Sequence, residues 1–390
     1  MDDAIPLLER LVATPSQAGL DDLGAIVGVI LEQLRRWRVP HAVVGRSGRP
    51  RAIVINPPRD AGDEVLLLNA CVDTAPVGDR TAWRHDPFAA DVADGWMIGR
   101  GVADSKAAVA NFCELARHVS LNPTRGAPHP RRRVTIVFDC DEHSGRFGGI
   151  RDVVRVHGFP AHCAIGYPGR DEIVAGSRGY WRTVLTLRGA MGHSGSETVP
   201  AELATRKLAK LLQRLDEIAA PPDDPGRFPL GPRASATWVR TGARTHSVTA
   251  SRIDVAIDVR LTPDFDAAAA QAAIDGILAD IAATIGGAHP SRYATPRSWP
   301  AYRTPDDALL PRLMQRAAEA VTGTRPPLVT CGPSNIGNFL ASRGTQVLAG
   351  YGVDCRGVHG ADEAARLDSM TPVRAVYAEA VRRYLAGQEP

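Results

Sequence analysis

The feature that most constrains this fold is a series of short, almost continuous apolar runs separated by helical segments. The runs are RAIVIN (51–56), EVLLLNA (64–70), RRRVTIVFDC (131–140), AHCAIG (161–166) and TQVLAGY (345–351). Such runs, bounded by turn residues, predict strands that are buried on both faces. DSKAAVANFCELARHV, which lies between two of them, has helical spacing, and Asp104 is placed to cap that helix. Strands that alternate with helices predict an α/β fold with a mostly parallel sheet.

The middle of the chain has a different order of elements. Its pattern predicts a strand in GYWRTVLTLRG, a helix in PAELATRKLAKLLQRLDEI, strands in RASATWVR and RIDVAIDVRL, and a helix in DFDAAAAQAAIDGILADIAATI. This order predicts a small α+β, ferredoxin-like domain at 177–294. The domain would be inserted into a larger catalytic domain made of 1–176 and 295–390, since 390 residues are enough for two domains.

Composition and charge exclude several classes of partner. The formal net charge of +3 gives no reason to expect nucleic acid or an acidic membrane. No run approaches the roughly 20 apolar residues that span a bilayer, and the acidic start MDDAIPLLERLVATPS does not resemble a secretory signal. The six cysteines contain no CxxC pair, which favours reduced thiols. We therefore expect a cytoplasmic protein with neither a nucleic-acid nor a membrane partner.

Acids, histidines and a cysteine gather just after predicted strands or at a helix start. They are Cys71 with Asp73; Asp104; Asp139, Asp141, Glu142 and His143; and His359, Asp362 and Glu363. Ligands of open parallel sheets bind outside the carboxyl ends of the strands, so these groups can converge on one site. Each group alone has a simpler interpretation, namely a helix cap, a solvated acidic turn or a surface histidine. Together they favour a divalent metal site.

The motifs around these groups resemble the aminoacylase, acetylornithine deacetylase, succinyl-diaminopimelate desuccinylase and glutamate carboxypeptidase family of metallo-amidohydrolases. The segment LLLNACVDTAPVG resembles the family's His-x-Asp segment. The Trp, HDPF and GRGVAD that come after it resemble the residues that follow that segment in the family. FDCDEHSGRFGG resembles its Asp-Glu-Glu-x-Gly, RGAMGHSG its small-domain Gly-His, and GVHGADE its late His before Asp-Glu. The resemblance implies a hydrolase that cleaves N-acyl amino acids or peptides with two metals, usually zinc.

Three positions match the family's metal ligands and its general base. By the resemblance, Asp104 is the bridging metal ligand, Glu142 the general base and His359 the late His ligand. The base would take a proton from the attacking water. Asp73 matches the residue that orients the ligand at position 71. Because Cys71 has no ring N–H for it to hold, Asp73 could itself turn toward a metal.

Three other ligand positions have changed type. Cys71 stands where the family has a His, His143 where it has a second Glu, and Tyr167 where it has a Glu before Pro. A phenol is a poor ligand at neutral pH. We therefore expect one metal per chain, held by Asp104, His143 and His359, with Cys71 as a further thiolate ligand or a free thiol. Zinc suits this donor set, and so do iron, cobalt and manganese.

Three functions stay open from the sequence. The first is a single-metal amidohydrolase with Glu142 as its base. The second is a repurposed enzyme in which Cys71 acts as nucleophile for acyl transfer or amide formation. The third is a non-hydrolytic binding protein.

The resemblance also implies substrate contacts from the small domain. His193 matches a His that reaches a neighbouring subunit's active site and stabilises the oxyanion, which implies a homodimer through the small domain. The same domain is expected to act as a lid that closes over the site and excludes water. Arg260 matches an Arg that would pair with a substrate carboxylate. The family's Asn thirteen positions earlier falls on Ser247, next to His246. The loop CGPSNIGN would add pocket donors from Gly332, Ser334 and Asn335.

Overall fold

The structure is a computed structural model that describes residues 3–46, 49–60, 62–221, 224–242 and 245–388. Over these ranges the chain divides into two compact units. The larger comprises Met1–Gly176, Arg303–Val329 and Asn335–Pro390, and the smaller comprises Ser177–Tyr302 and Thr330–Ser334. The smaller unit thus extends beyond the expected boundary at 294 and includes a further short segment. Its role as a lid and dimerisation domain stays a prediction.

The central sheet of the larger unit is mostly parallel. Its strand order is His41–Arg46, Arg49–Ile55, Arg132–Asp139, Glu64–Cys71, His162–Ile165 and Gln346–Leu348. The last four in this order run parallel to one another. The first two form an antiparallel hairpin at one edge, and Arg49–Ile55 pairs antiparallel with Arg132–Asp139. The predicted α/β class is therefore confirmed.

Helices cover this sheet, which explains why its strands are apolar without alternation. The strand Arg132–Asp139 is buried along its whole length, and Glu64–Cys71 is buried at every position after the first. Each fully buried aliphatic side chain contributes roughly 1.5–3 kcal/mol. The helices of this unit are Ala4–Val12, Leu23–Arg36, Ala107–His118, Gly148–His157, Leu309–Thr322, Ile336–Ala341 and Met370–Ala386.

The register of the parallel strands brings their carboxyl ends to one edge of the sheet. Cys71 lies opposite Asp139, and Asn69 lies opposite Ile165. The segments that leave these three strands therefore start side by side. They carry the candidate residues around 73, 142 and 167.

A second sheet of the larger unit joins two loops that are far apart in sequence. Its antiparallel strands are Asp91–Ala93, Trp96–Ile98, Ala364–Arg366 and Cys355–Arg356. The pairing of Ala364 with Ile98 places the loop that ends at Glu363 beside the Gly-Arg-Gly segment at 99–101. Further short strands are Ile173–Ser177, Tyr302–Arg303 and Leu328–Cys331.

The smaller unit is an antiparallel sheet packed against two helices. The strand order is Arg233–Thr241, Arg252–Leu261, Gly179–Arg188 and Arg292–Tyr293, and Arg297–Trp299 also pairs with Gly179–Arg188. The helices are Ala204–Asp216 and Ala267–Thr284. Among the described helices, the second is long and apolar enough to cross a membrane by length and composition alone. Its residues Ala270, Ile274, Ile277 and Ile281 pack in the core of this unit instead.

Candidate active site

Asp104 presents its two carboxylate oxygens to different partners. It lies in the turn Val102–Lys106 with a non-helical backbone (φ -115°, ψ 89°), before the helix that begins at Ala107, so the predicted capping role is wrong. The Nε2–H of His359 donates to Oδ2 at 2.9 Å, and the Cys71 thiol lies 3.9 Å from Oδ1. Burial disfavours the charged carboxylate, but the His359 hydrogen bond and the nearby imidazoles outweigh burial and lower the pKa of Asp104.

A buried ion pair fixes the two loops that carry Asp104 and His359. Arg100 Nη1 donates to Glu363 at 2.7 Å, and both side chains are 1% exposed. Glu363 also accepts, at 3.0 to 3.2 Å, from the backbone N–H groups of Gly101, Ala103 and Asp104. Arg100 donates to the carbonyl groups of His359 and Gly360 at 3.3 and 2.8 Å. Arg100 is a site residue that was not predicted from the sequence, although it lies in the Gly-Arg-Gly motif.

The His359 loop turns sharply beside this ion pair. Gly357 and His359 both adopt positive φ, at 65° and 64°. This conformation is easy for glycine and uncommon for histidine, so the contacts of Arg100 with the loop hold it in place. The His359 side chain remains 54% exposed, with its Nε2 on Asp104.

Replacing Glu363 with Gln should destabilise the protein strongly. The change leaves the Arg100 charge buried without its partner, which typically costs about 3–5 kcal/mol. Urea unfolding followed by circular dichroism should show a much lower midpoint. Glu379→Gln is the matched control, because Glu379 pairs with Arg382 and Arg383 on a solvent-facing part of a helix. Exposed pairs contribute about 0–1 kcal/mol, so equal losses in the two variants would contradict this role for Glu363.

Asp73 joins the segments that follow two neighbouring strands. Its carboxylate, 1% exposed, accepts the backbone N–H groups of Glu142 at 3.1 Å and His143 at 2.8 Å. The Glu142 carboxyl is itself buried, and burial raises its pKa to about 7. The nearby His143 imidazole and the Tyr167 hydroxyl partly offset that rise. The acidic run at 139–143 is therefore part of a buried site.

The imidazole of His143 is open to a ligand. Nδ1 lies 3.3 Å from Glu142 Oε2 and 3.5 Å from Asp73 Oδ2, and Nε2 lies 3.8 Å from Asp104 Oδ2. Among the described residues, neither buried ring nitrogen has a hydrogen-bond partner. A buried polar atom left in this state costs about 1–3 kcal/mol. The ring is therefore placed to gain from a bound cation.

The donor atoms of this pocket fit a divalent cation. Within the described residues, the donor atoms of Asp104, His143 and His359 lie within 4.8 Å of one another. Two imidazoles and one carboxylate are the ligand types of catalytic zinc sites. Cys71, Glu142 and His143 form a second group by the same distance limit.

Cys71 and Tyr167 face the same pocket as neutral groups. The Cys71 thiol is buried 3.3 Å from Ser105 Oγ, and Ser105 also bonds both the N–H and the carbonyl of Cys71. Burial raises the pKa of the Cys71 thiol, which disfavours a free thiolate nucleophile. Burial likewise raises the pKa of the Tyr167 phenol, so its hydroxyl stays protonated.

In the smaller unit, Arg260 is held by two neighbours. Its Nε lies 2.8 Å from Asp258 Oδ1, and its Nη1 donates to Ser334 Oγ at 3.4 Å. Ser334 in turn donates to the carbonyl of Arg178 at 2.7 Å, and the carbonyl of Gly332 accepts from Arg178 Nε at 3.2 Å. Arg260 is therefore an oriented side chain and only 25% exposed.

Three other predicted substrate contacts, His193, His246 and Ser247, lie on two segments of the smaller unit that pair with each other. His193 bridges to Val248, and Ser194 N–H donates to the carbonyl of Ser247 at 2.8 Å. His193, His246 and Ser247 are exposed. Asn335, by contrast, belongs to the larger unit, where its side chain caps the helix Ile336–Ala341. Its role toward substrate stays a prediction.

The chain is similar to known proteins over most of its length. The model of peptidase family M20/M25/M40 matches residues 67–383. The succinyl-diaminopimelate desuccinylase of Parvibaculum lavamentivorans is 26% identical over 402 residues, covering 99% of this chain and 96% of that protein. The enzyme of the same name from Rhodospirillum centenum is 29% identical over 332 residues, covering 82% of this chain and 81% of that protein.

Solved structures share the fold at low identity. An M20 family metallo-carboxypeptidase from Sulfolobus solfataricus has a TM-score of 0.76 at 16% identity, covering 99% of this chain and 100% of that one. Human carnosine dipeptidase 1 has a TM-score of 0.75 at 16% identity, covering 98% and 96%. Because the family model spans most of the chain, the chain belongs to peptidase family M20/M25/M40 and is a hydrolytic enzyme.

Proposed function

We propose that this protein is an amidohydrolase that uses one divalent cation to cleave an N-acyl amino acid or a small peptide-like amide. The observation that carries the proposal is the convergence of Asp104, His143 and His359 within 4.8 Å, beside the buried carboxyl of Glu142. The cluster is not explained by fold stability, because it leaves the buried His143 nitrogens without hydrogen-bond partners among the described residues.

Asp104, His143 and His359 would hold the cation. Zinc is the proposed ion, and iron, cobalt and manganese are the alternatives that these ligand types suit. When bound, the cation would supply a Lewis acid that polarises the amide carbonyl. The residue at position 167 supports a single ion, because burial raises the pKa of the Tyr167 phenol and the neutral phenol offers no anionic ligand.

Glu142 would act as the general base. Its buried carboxyl would accept a proton from the attacking water and pass it to the leaving amine. A carboxyl with a pKa raised to about 7 holds an accepted proton better than an ordinary glutamate does. Tyr167 and the backbone contacts with Asp73 would fix the direction in which Glu142 points.

Arg260 would bind a carboxylate of the substrate. Asp258 and Ser334 hold its guanidinium, which can then make paired hydrogen bonds to a planar anion. The curated relatives are named for removing succinyl from succinyl-diaminopimelate, so N-succinyl amino acids are the first substrates to test. His193, His246, Ser247, Gly332 and Asn335 remain proposed substrate contacts.

Assembly and location are proposals of the same kind. A homodimer in which His193 serves the neighbouring subunit follows from the family resemblance. In the described part of the chain, which includes all six cysteines, each cysteine is a free thiol. Free thiols suit the reducing cytoplasm, where we propose that the protein resides.

A hydrolysis assay tests the proposal. Purified protein should release the amine from at least one member of a panel of N-succinyl amino acids, N-acetyl amino acids and dipeptides. A strong chelator should abolish that activity, and added zinc should restore it. Activity that persists after complete removal of metal would contradict the proposal.

Cys71→Ser is the variant that separates this function from acyl transfer through a thiol. If Glu142 and the cation carry the reaction, the variant should keep most of its hydrolytic activity. A complete loss of activity with the cation still bound would instead identify Cys71 as the nucleophile.

A further inference from the structure

The ring of His143 lies between two sets of carboxylates. Nε2 faces Asp104, at 3.8 Å from Oδ2, on the side where His359 also contacts Asp104. Nδ1 faces the opposite way, toward Asp73 at 3.5 Å and Glu142 at 3.3 Å. One ring nitrogen is therefore available to a cation held by Asp104 and His359, and the other to a carboxylate.

Asp73 is the fixed member of the pair that faces Nδ1. Its Oδ1 and Oδ2 accept the backbone N–H groups of Glu142 and His143, and the side chain is almost fully buried. A carboxylate that accepts hydrogen bonds from two backbone N–H groups has a fixed position. Glu142 must instead turn toward water if it is to act as the base, so it cannot remain the partner of Nδ1.

From this geometry we propose that Asp73 is the positioning residue for His143: it accepts the Nδ1–H and thereby presents Nε2 to the cation. A carboxylate that accepts the second N–H of a ligating histidine fixes the tautomer and strengthens the ligand. This inference rests on the proposed function, because it assumes that the pocket binds a cation. It also assigns Asp73 a different task from the two that the sequence suggested.

The test measures zinc affinity by competition with a chromophoric chelator, in wild type, Asp73→Asn and Asp139→Asn. Loss of an outer carboxylate partner typically weakens metal binding about 10- to 100-fold, and we expect that loss for Asp73→Asn. Asp139→Asn is the matched control. Asp139 is a buried carboxyl at the end of the adjacent strand, and it accepts a backbone N–H, from Asp141, as Asp73 does. That variant should bind zinc as tightly as wild type.

A second readout separates positioning from general loosening of the loop. In zinc-loaded protein with ¹⁵N-labelled histidine, His143 should show a protonated Nδ1 whose proton is shifted downfield by the carboxylate. The shift should disappear in Asp73→Asn. Unchanged zinc affinity in Asp73→Asn, equal losses in both variants, or an unchanged His143 signal would each overturn the inference while leaving a metal-dependent hydrolase intact. A wild-type protein that binds no zinc would overturn the proposed function as well.

Discussion

Glu142→Gln should lower the hydrolytic rate about 10²- to 10⁴-fold, the range that a general base contributes. The amide of glutamine keeps the size of the side chain and its contact with Tyr167, but it cannot accept the proton of the attacking water. The loss should fall on kcat, since substrate still binds. Steady-state kinetics on the best substrate of the panel, with zinc content measured on the same sample, is the appropriate measurement.

A buried glutamate elsewhere in the unit serves as the control for this variant. Glu114 is buried in the helix Ala107–His118 and contacts His118 and the backbone N–H of Asp3. Glu114→Gln should retain the wild-type rate. If Glu142→Gln hydrolysed substrate as fast as wild type, Glu142 would not be the base and the proposed mechanism would fail.

His143→Ala should weaken zinc binding by more than 100-fold, because the change removes one of three ligands and not merely an outer partner. The activity should fall in parallel. Isothermal titration calorimetry with zinc measures this effect. Circular dichroism of the same sample shows whether the variant is folded.

His162→Ala is the matched control for His143. His162 is also buried, but it lies at the start of its strand, where it contacts Glu64 and Gln346. Its removal should disturb packing without affecting zinc affinity. Zinc binding by His143→Ala at the wild-type level would mean that the ligand set has been misidentified.

The strands and most helices were predictable because hydrophobic periodicity directly reflects burial. The predicted strand at 64–70 is observed as Glu64–Cys71, and the helix expected within DSKAAVANFCELARHV is observed as Ala107–His118. No helix was predicted at Gly148–His157, because the two glycines at its start disfavour a helix. A Cβ at Gly149 would lie 2.3 Å from the Arg51 carbonyl, so these glycines allow the helix to begin against the sheet.

The members of the site could be named from the sequence, but their contacts could not. The strand ends predicted that Cys71, Asp104, Glu142, His143 and His359 would converge. The predicted cap at Asp104 was wrong, because the carboxylate instead bonds His359 from 255 positions away. Contacts such as Asp73 with His143 depend on strand register and on the turn at 140–143, which no local pattern encodes.

The most direct test of the account is the amount of zinc per chain after saturation and desalting, measured by inductively coupled plasma mass spectrometry. Asp104, His143 and His359 would form one metal site, and the neutral phenol of Tyr167 would offer no anionic ligand to a second. We therefore predict one zinc ion per chain. Two ions would show that Cys71 and its neighbours hold a second metal, and none would show that the pocket is not a metal site.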